Sequence, residues 1–279
     1  MIPQNYIIEW KNSAPWKDNA QVEQDLILSR AIVDLYSDPI LKEKLIFRGG
    51  TALHKLYSPI QERYSEDLDF VQKTAEPIGN VLRHLHDVLN PWLGEPKWKQ
   101  THGRVTFYYA YESEISPIRK MKIKLEINTR EHHAYDELVH LPFGIKSPWF
   151  DGTTEVLSYT LEELMGTKLR ALYQRKKGRD LFDLWVMMQH YPHLNKEKVI
   201  ECFLFYLEKE GNLISRAEFE KNMNHKLKDK VFMDDMTPLL SPNRPYSHVD
   251  AYAVVQESLI ALLPGDPWKN ETQLKNHKK

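Results

Sequence analysis

Four short runs, LIF (45–47), LDFV (68–71), RVTFYYAY (104–111) and MKIKLEI (121–127), change the hydrophobic period of the chain from helical to strand-like. Several of them alternate, which commits the first half to a β-sheet. MKIKLEI separates its faces fully: Met121, Ile123, Leu125 and Ile127 on one, Lys122, Lys124, Glu126 and Asn128 on the other. Ahead of the strands, NAQVEQDLILSRAIVDLYSD predicts a helix over about 20–37, and IGNVLRHLHDVLNPWLG predicts another, ended by Pro91 and Gly94. The glycine of THGRV fits a turn between strands.

The stretch LPFGIKSPWFDGTTE carries Pro142, Gly144, Pro148 and Gly152, which are expected to interrupt any regular element and mark a domain boundary. Beyond it the chain reads as helical, with segments at about 160–175, 179–190, 196–209 and 248–263 separated by loops such as TPLLSPNRPYS. Two domains are therefore expected, 1–150 and 151–279. The tail KNHKK reads as a frayed end.

Composition narrows the function classes. With 42% hydrophobic and 28% charged residues, the 279-residue chain has the makeup of a globular protein. The N-terminus lacks a signal pattern and no apolar stretch is long enough to span a bilayer, so a cytoplasmic location without membrane association is expected. One cysteine, Cys202, excludes an intrachain disulfide and a multi-cysteine zinc site, and reads as a packed helix residue. A net charge of −1 argues against a wholly basic nucleic-acid coat but allows a local basic groove.

The chemistry-bearing residues fall in separate segments. In SEDLDF, Asp67 and Asp69 are two apart, so on a strand both carboxylates project from one face, the arrangement that brings hard oxygen ligands to a divalent cation. Such a pair is also common on solvated surfaces. In IFRGGTALHKLY, Gly49 and Gly50 let a backbone approach a ligand, and Thr51 opens a helix whose free N–H groups suit a triphosphate. A tight strand-to-helix turn with a threonine cap is the plainer alternative. Glu126 can share the polar sheet face with the aspartates or serve in Lys-Glu pairs.

In YTLEELMGTKLRALYQRKKGRDLFDLW, Thr160 and Glu163 have capping-box spacing. Lys168 falls inside the stripe Leu161, Leu164, Met165, Leu169 and Leu172, where its ammonium must snorkel or meet an anion. Asp180 and Asp183, on one face of an apolar helix, need partners such as Lys168, Arg179 or a cation; a buried ion pair between helices is the structural alternative. His84, His86 and the EHH of 131–133 lack zinc spacing and read as surface histidines. No dinucleotide, Walker or nucleophile-elbow motif is present in the sequence.

Together FRGGTALHKLY, RYSEDLDF, KLEINTRE, LEELMGTKLRAL and KGRDLFDLW closely resemble the AbiEii/AbiGii family of bacterial toxins, nucleotidyltransferases of toxin–antitoxin and phage-defence systems, over about residues 25–190. The resemblance implies an α+β fold: a DNA polymerase β-like nucleotidyltransferase mixed sheet with flanking helices, then a helical C-terminal domain. It places Gly49, Gly50 and Thr51 at the nucleotide phosphates with Lys168 and Arg179, and Asp67, Asp69 and Glu126 at a Mg²⁺ or Mn²⁺ site. Lys168 and Asp180 match the later catalytic motifs, with Asp183 an open alternative to Asp180. The activity implied is transfer of a nucleotide from an NTP to RNA, in particular the tRNA 3′ end, blocking translation, with a cognate antitoxin as partner. Arg175, Lys176, Lys177 and Arg179 are expected to form part of an RNA-facing basic patch. The competing readings are a metal-dependent nuclease using the same acids and a non-catalytic nucleotide- or antitoxin-binding module.

Overall fold

A computed structural model describes residues 2–242 and 244–269; the tail read as frayed lies outside the described residues. The described residues form two compact units, one within residues 2–160 together with 239–242 and 244, the other within 161–238 and 245–269.

The first unit is built on a seven-stranded mixed sheet. Its strands are β1 (Leu45–Arg48), β2 (Asp67–Gln72), β3 (Lys97–Thr101), β4 (Arg104–Glu112), β5 (Lys120–Asn128), β6 (Val139–Lys146) and β7 (Asp151–Ser158), in the order β3-β4-β5-β2-β1-β7-β6. β2 runs antiparallel to β1 and parallel to β5, while β7 is parallel to β1. The apolar face of the central strands forms the core, where Phe70 of β2 packs on Phe47 of β1 at 5.1 Å between ring centroids. Helix α2 (Asn19–Ser37), preceded by α1 (Gln4–Trp10), covers that core and is started by Asp18, whose side chain accepts from the Ala20 N–H. The hydroxyl of its buried Tyr36 reaches the carbonyls of Leu45 and Leu157 at 3.0 and 3.2 Å, tying the helix to β1 and β7. After the short α3 (Pro39–Lys44), the strand-to-helix turn opens α4 (Gly49–Ala52), which continues as a π-helical turn over Leu53–Tyr57.

Three sequence expectations are corrected here. The stretch whose prolines and glycines were expected to interrupt any regular element holds much of the hairpin β6–β7. Pro142 is tolerated because β6 is the sheet edge and pairs with β7 alone, so one face of its backbone needs no donor. In α5 (Gly79–Leu93) Pro91 lies inside the helix, in its exposed last turn; Gly94, at φ +79°, ends it. The histidines read as surface are half-buried and bonded: His84 Nδ1 lies 2.9 Å from Asp38, and His132 Nδ1 lies 2.7 Å from the Gln72 carbonyl.

The second unit is helical: α6 (Leu161–Gln174), α7 (Gly178–His190), α8 (Lys196–Lys209), α9 (Arg216–Lys226), α10 (Lys230–Asp234) and α11 (His248–Ser258). Gly166 brings α6 against α8, since a Cβ there would sit 2.6 Å from the Cβ of buried Cys202 and 2.9 Å from the Val199 carbonyl. Between α10 and α11 the chain returns to the first unit, where Leu240 bridges Arg63 and the Tyr64 N–H donates to the Leu239 carbonyl at 2.8 Å. No described helix is long and apolar enough to cross a membrane.

Candidate active site

The glycine corner and the acidic pair meet through β-pairing. Arg48, the last residue of β1, is the Cα partner of Asp69 on β2, so the chain turns into α4 directly beside that carboxylate. Gly49 adopts φ +80°, and a Cβ there would stand 2.6 Å from Asp69 Oδ2. Both facts require glycine: the left-handed backbone penalises other residues, and the carboxylate occupies the space of a side chain. Gly50 serves a different neighbour, because its Cβ would stand 2.5 Å from Arg63 Nη2. Thr51 is buried and its hydroxyl donates to the Asp67 carbonyl at 2.5 Å, with Ser65 Oγ at 2.8 Å. The threonine therefore locks the corner onto β2 from behind.

Glu126 joins this face. In the parallel pairing of β2 with β5, Asp67 is opposite Lys124 and Asp69 opposite Glu126. Lys124 Nζ lies 3.6 Å from Asp67 and 3.2 Å from Glu126, and Arg104 holds Glu126 at 3.2 Å. Burial, and then the charge of Asp67, raise the Asp69 pKa above the usual carboxylate range, with Glu126 adding to the rise and Lys124 and Arg48 opposing it. Burial works against the Lys124 ammonium, yet Asp67, Glu126 and Asp69 together hold its pKa above the ordinary lysine value.

Three carboxylates thus stand around Lys124, with Arg104 on Glu126 and the charge of Arg48 acting on Asp69. Two carboxylates on one strand face, one of them with a raised pKa, fit a hard divalent cation, whose remaining positions suit phosphate oxygens and water. Among the described residues no three acid, histidine or cysteine side chains stand together in a ligating arrangement. The fit therefore rests on Asp67 and Asp69, while Glu126 is engaged by Lys124 and Arg104.

In the second unit, Lys168 does meet anions. Its Nζ lies 3.3 Å from Asp180 Oδ1 and 2.9 Å from Asp183 Oδ2, all three side chains being buried. Asp180 also accepts two bonds from the Arg175 guanidinium, at 2.7 and 2.8 Å. Burial raises the Asp180 pKa, but Lys168 and Arg175 outweigh it and hold the group below its ordinary value. Arg179 reaches Asp235, through its backbone N–H at 3.2 Å and its guanidinium at 3.8 Å. Thr160 donates to Asp136 at 3.1 Å, and the buried Glu163 accepts from the Tyr206 hydroxyl at 2.6 Å.

Sequence reasoning did not single out Arg63, Ser65 or Arg48, and named Lys124 only as a polar-face residue. The spacing was informative for Lys124, two residues before Glu126. Arg63 is nearly fully buried and its Nη1 donates to the Tyr64 carbonyl at 2.9 Å, which places its guanidinium over the Gly50 backbone. A cation in the short link leading into Asp67 was the available signal.

Known proteins share the fold and the family of this chain. The chain has the fold of JHP933 from Helicobacter pylori, at a TM-score of 0.58 and 19% identity, with 94% of this chain and 96% of that one covered. It likewise has the fold of MenT4, a nucleotidyltransferase toxin from Mycobacterium tuberculosis, at a TM-score of 0.62 and 15% identity over 95% of this chain and 92% of that one. A search of curated proteins by sequence finds no match. The family model described as nucleotidyl transferase AbiEii toxin, type IV toxin–antitoxin system, matches residues 30–254. The chain belongs to the family of AbiEii nucleotidyl transferase toxins.

Proposed function

We propose that this protein transfers a nucleotide from an NTP to an RNA acceptor, the 3′ end of tRNA, and so blocks translation, acting in the cytoplasm under the control of a cognate antitoxin. One observation carries the reading: a glycine that only glycine can be, Gly49, opens the helix start directly against the Asp69 carboxylate. A phosphate-binding corner and an acidic pair side by side are what nucleotidyl transfer needs and what a plain turn does not. The nucleotidyltransferase activity named for the M. tuberculosis toxin of like fold supports it.

Asp67 and Asp69, with Glu126 beside them, hold Mg²⁺ or Mn²⁺ in this proposal; the ion when bound polarises the α-phosphate and screens its charge. The residues of the chain do the rest. Backbone N–H groups at Gly49 and Gly50 take the outer phosphates, with the Arg63 guanidinium beside them. Thr51 keeps Asp67 in place through its carbonyl. In this reading Lys168 of the second unit, fixed by Asp180 and Asp183, has a catalytic role, and Lys168 and Arg179 take part in nucleotide binding. The RNA hydroxyl attacks the α-phosphorus, a phosphodiester bond forms, the bond to the β-phosphate bridge breaks, and the hydroxyl proton passes to solvent.

Incubation with Mg²⁺, total tRNA and NTPs labelled at either the α- or the γ-phosphate tests this. The α-label is expected on RNA 3′ ends, the γ-label in pyrophosphate, and neither reaction with Asp69→Ala. Equal labelling by Asp69→Ala removes the acidic pair from the reaction. RNA shortened without NTP selects a nuclease instead, and NTP binding without any product selects a binding module.

A further inference from the structure

The loop expected to face RNA uses its charges internally. Lys176 pairs with Asp229 at 2.7 Å, Lys177 with Asp235 at 3.3 Å, and Arg175 with Asp180. Cations without such partners lie on the sheet. Cα partners align Asp67, Lys124, Tyr108 and Lys97 in one row across β2, β5, β4 and β3, and Asp69, Glu126, Thr106 and Lys99 in the next. Residues directly opposite one another share a sheet face, so Lys97 and Lys99 stand on the face of the acids, three strand spacings or roughly 14 Å away. Lys122 adds a third charge, its Nζ 5.2 Å from the centre of the half-buried Tyr108 ring. Lys97, Lys99 and Lys122 are exposed, and among the described residues none is held by a carboxylate.

Edge lysines commonly discourage strand addition, and Lys97 and Lys99 on β3 could serve that end alone. Lys122 cannot, because β5 is an interior strand between β4 and β2. On the opposite face, Trp98 stacks on Phe107 at 6.0 Å with ring planes 26° apart, which fixes the side to which β3 turns its lysines. Direction then enters from the chemistry. In-line displacement puts the attacking and leaving oxygens on opposite sides of the α-phosphorus. The glycine corner lies on the β1 side of the aspartates, so a leaving pyrophosphate is drawn that way and the acceptor must arrive from β5, β4 and β3.

We infer that the open β5-β4-β3 face is the track for the acceptor, a single-stranded 3′ end of RNA, with Lys97, Lys99 and Lys122 on its phosphates and Tyr108 offering a stacking surface. Lysines interleaved with an aromatic ring suit a flexible strand that has both charges and base faces. The inference rests on the nucleotidyl-transfer reading above.

The test is fluorescence anisotropy of a short labelled single-stranded RNA on the full chain over a series of salt concentrations, together with NTP binding. Lys97→Gln with Lys99→Gln should weaken RNA binding at least tenfold and reduce the slope of log affinity against log salt by about 1.4, two contacts at ~0.7 each. NTP binding stays unchanged, which also shows that the variant is folded. Lys176→Gln should alter RNA affinity less than twofold. The track is overturned if the double variant binds and extends RNA like wild type, or if Lys176→Gln carries the loss. Equal weakening on a blunt RNA duplex overturns the single-strand assignment. A wild-type protein that labels no RNA at all fails the underlying reading instead.

Discussion

Two groups of buried or half-buried charges use the same residue types toward opposite ends. Around Asp69, three carboxylates share Lys124, and the Asp69 pKa is raised by burial and by Asp67. Around Asp180, two carboxylates meet Lys168 and Arg175, and the Asp180 pKa is lowered because those cations outweigh burial. In the second group the cations outweigh burial; in the first, burial and the neighbouring carboxylates outweigh Lys124 and Arg48. In the proposed reading the first group binds the ion while the second fixes Lys168 and stabilises its helices, a difference that substitutions can separate.

The largest expected effect is on the acids of β2. Asp67→Asn or Asp69→Asn should cut transfer by about 10³-fold or more, on the scale of losing a preorganised electrostatic group, while leaving Tm unchanged or higher because a like charge is removed. Initial rates and thermal melts on the same samples check both halves. Asp183→Ala should do the reverse in kind: it leaves the buried Lys168 only Asp180, which Arg175 already engages, and costs about 3–5 kcal/mol in denaturant unfolding. If Asp183→Ala melts like wild type, the second group is not holding the second unit together. Gly49→Ala forces a left-handed alanine against the Asp69 carboxylate, with a loss of about 1–2 kcal/mol in stability and a larger loss in activity.

Subtler effects follow from titration. Lys124 opposes the rise in the Asp69 pKa, so Lys124→Met should move the acid limb of the rate profile to higher pH. An acid limb that stays in place would leave Lys124 without this role. The smallest effect lies outside both groups. Glu23 is fully buried on α2, accepts from the Glu114 N–H at 3.0 Å, and has its pKa raised by burial to about 7. A folded pKa above the ordinary glutamate value of 4.5 means the native state binds the proton more tightly, so stability from this group is complete below about 4.5 and lost as pH rises through about 7. Glu23→Gln should flatten that dependence in melts between pH 4 and pH 8, as the neutral amide does not titrate.

What the sequence disclosed follows its strongest patterns. The alternation in MKIKLEI set the polar face of β5 and with it the pairing of Glu126 opposite Asp69. The helical stripe containing Lys168 left its ammonium to snorkel or to meet an anion, and it meets two. Long-range partners were less legible. Asp180 is met by Arg175 rather than Arg179, since Arg179 is adjacent on α7 and points about 100° away around the helix, while Arg175 precedes the helix and folds back. The β6–β7 hairpin was hidden because its proline sits on an edge strand, where the rule against proline relaxes. α9 was missed for want of an apolar stripe, although its capping box, Ser215 with Glu218, was there to be read. The return of residues 239–244 to Arg63 has no local signature at all.

The central claim, that the glycine corner and the β2 aspartates converge on one metal-bound triphosphate, is most directly tested by anomalous diffraction from crystals grown with Mn²⁺ and a non-hydrolysable NTP. The account predicts a manganese peak within about 2.0–2.6 Å of carboxylate oxygens from both Asp67 and Asp69, the triphosphate resting on the N–H groups at Gly49 and Gly50. A triphosphate bound with its metal away from β2, and both aspartates left to Lys124, would contradict it.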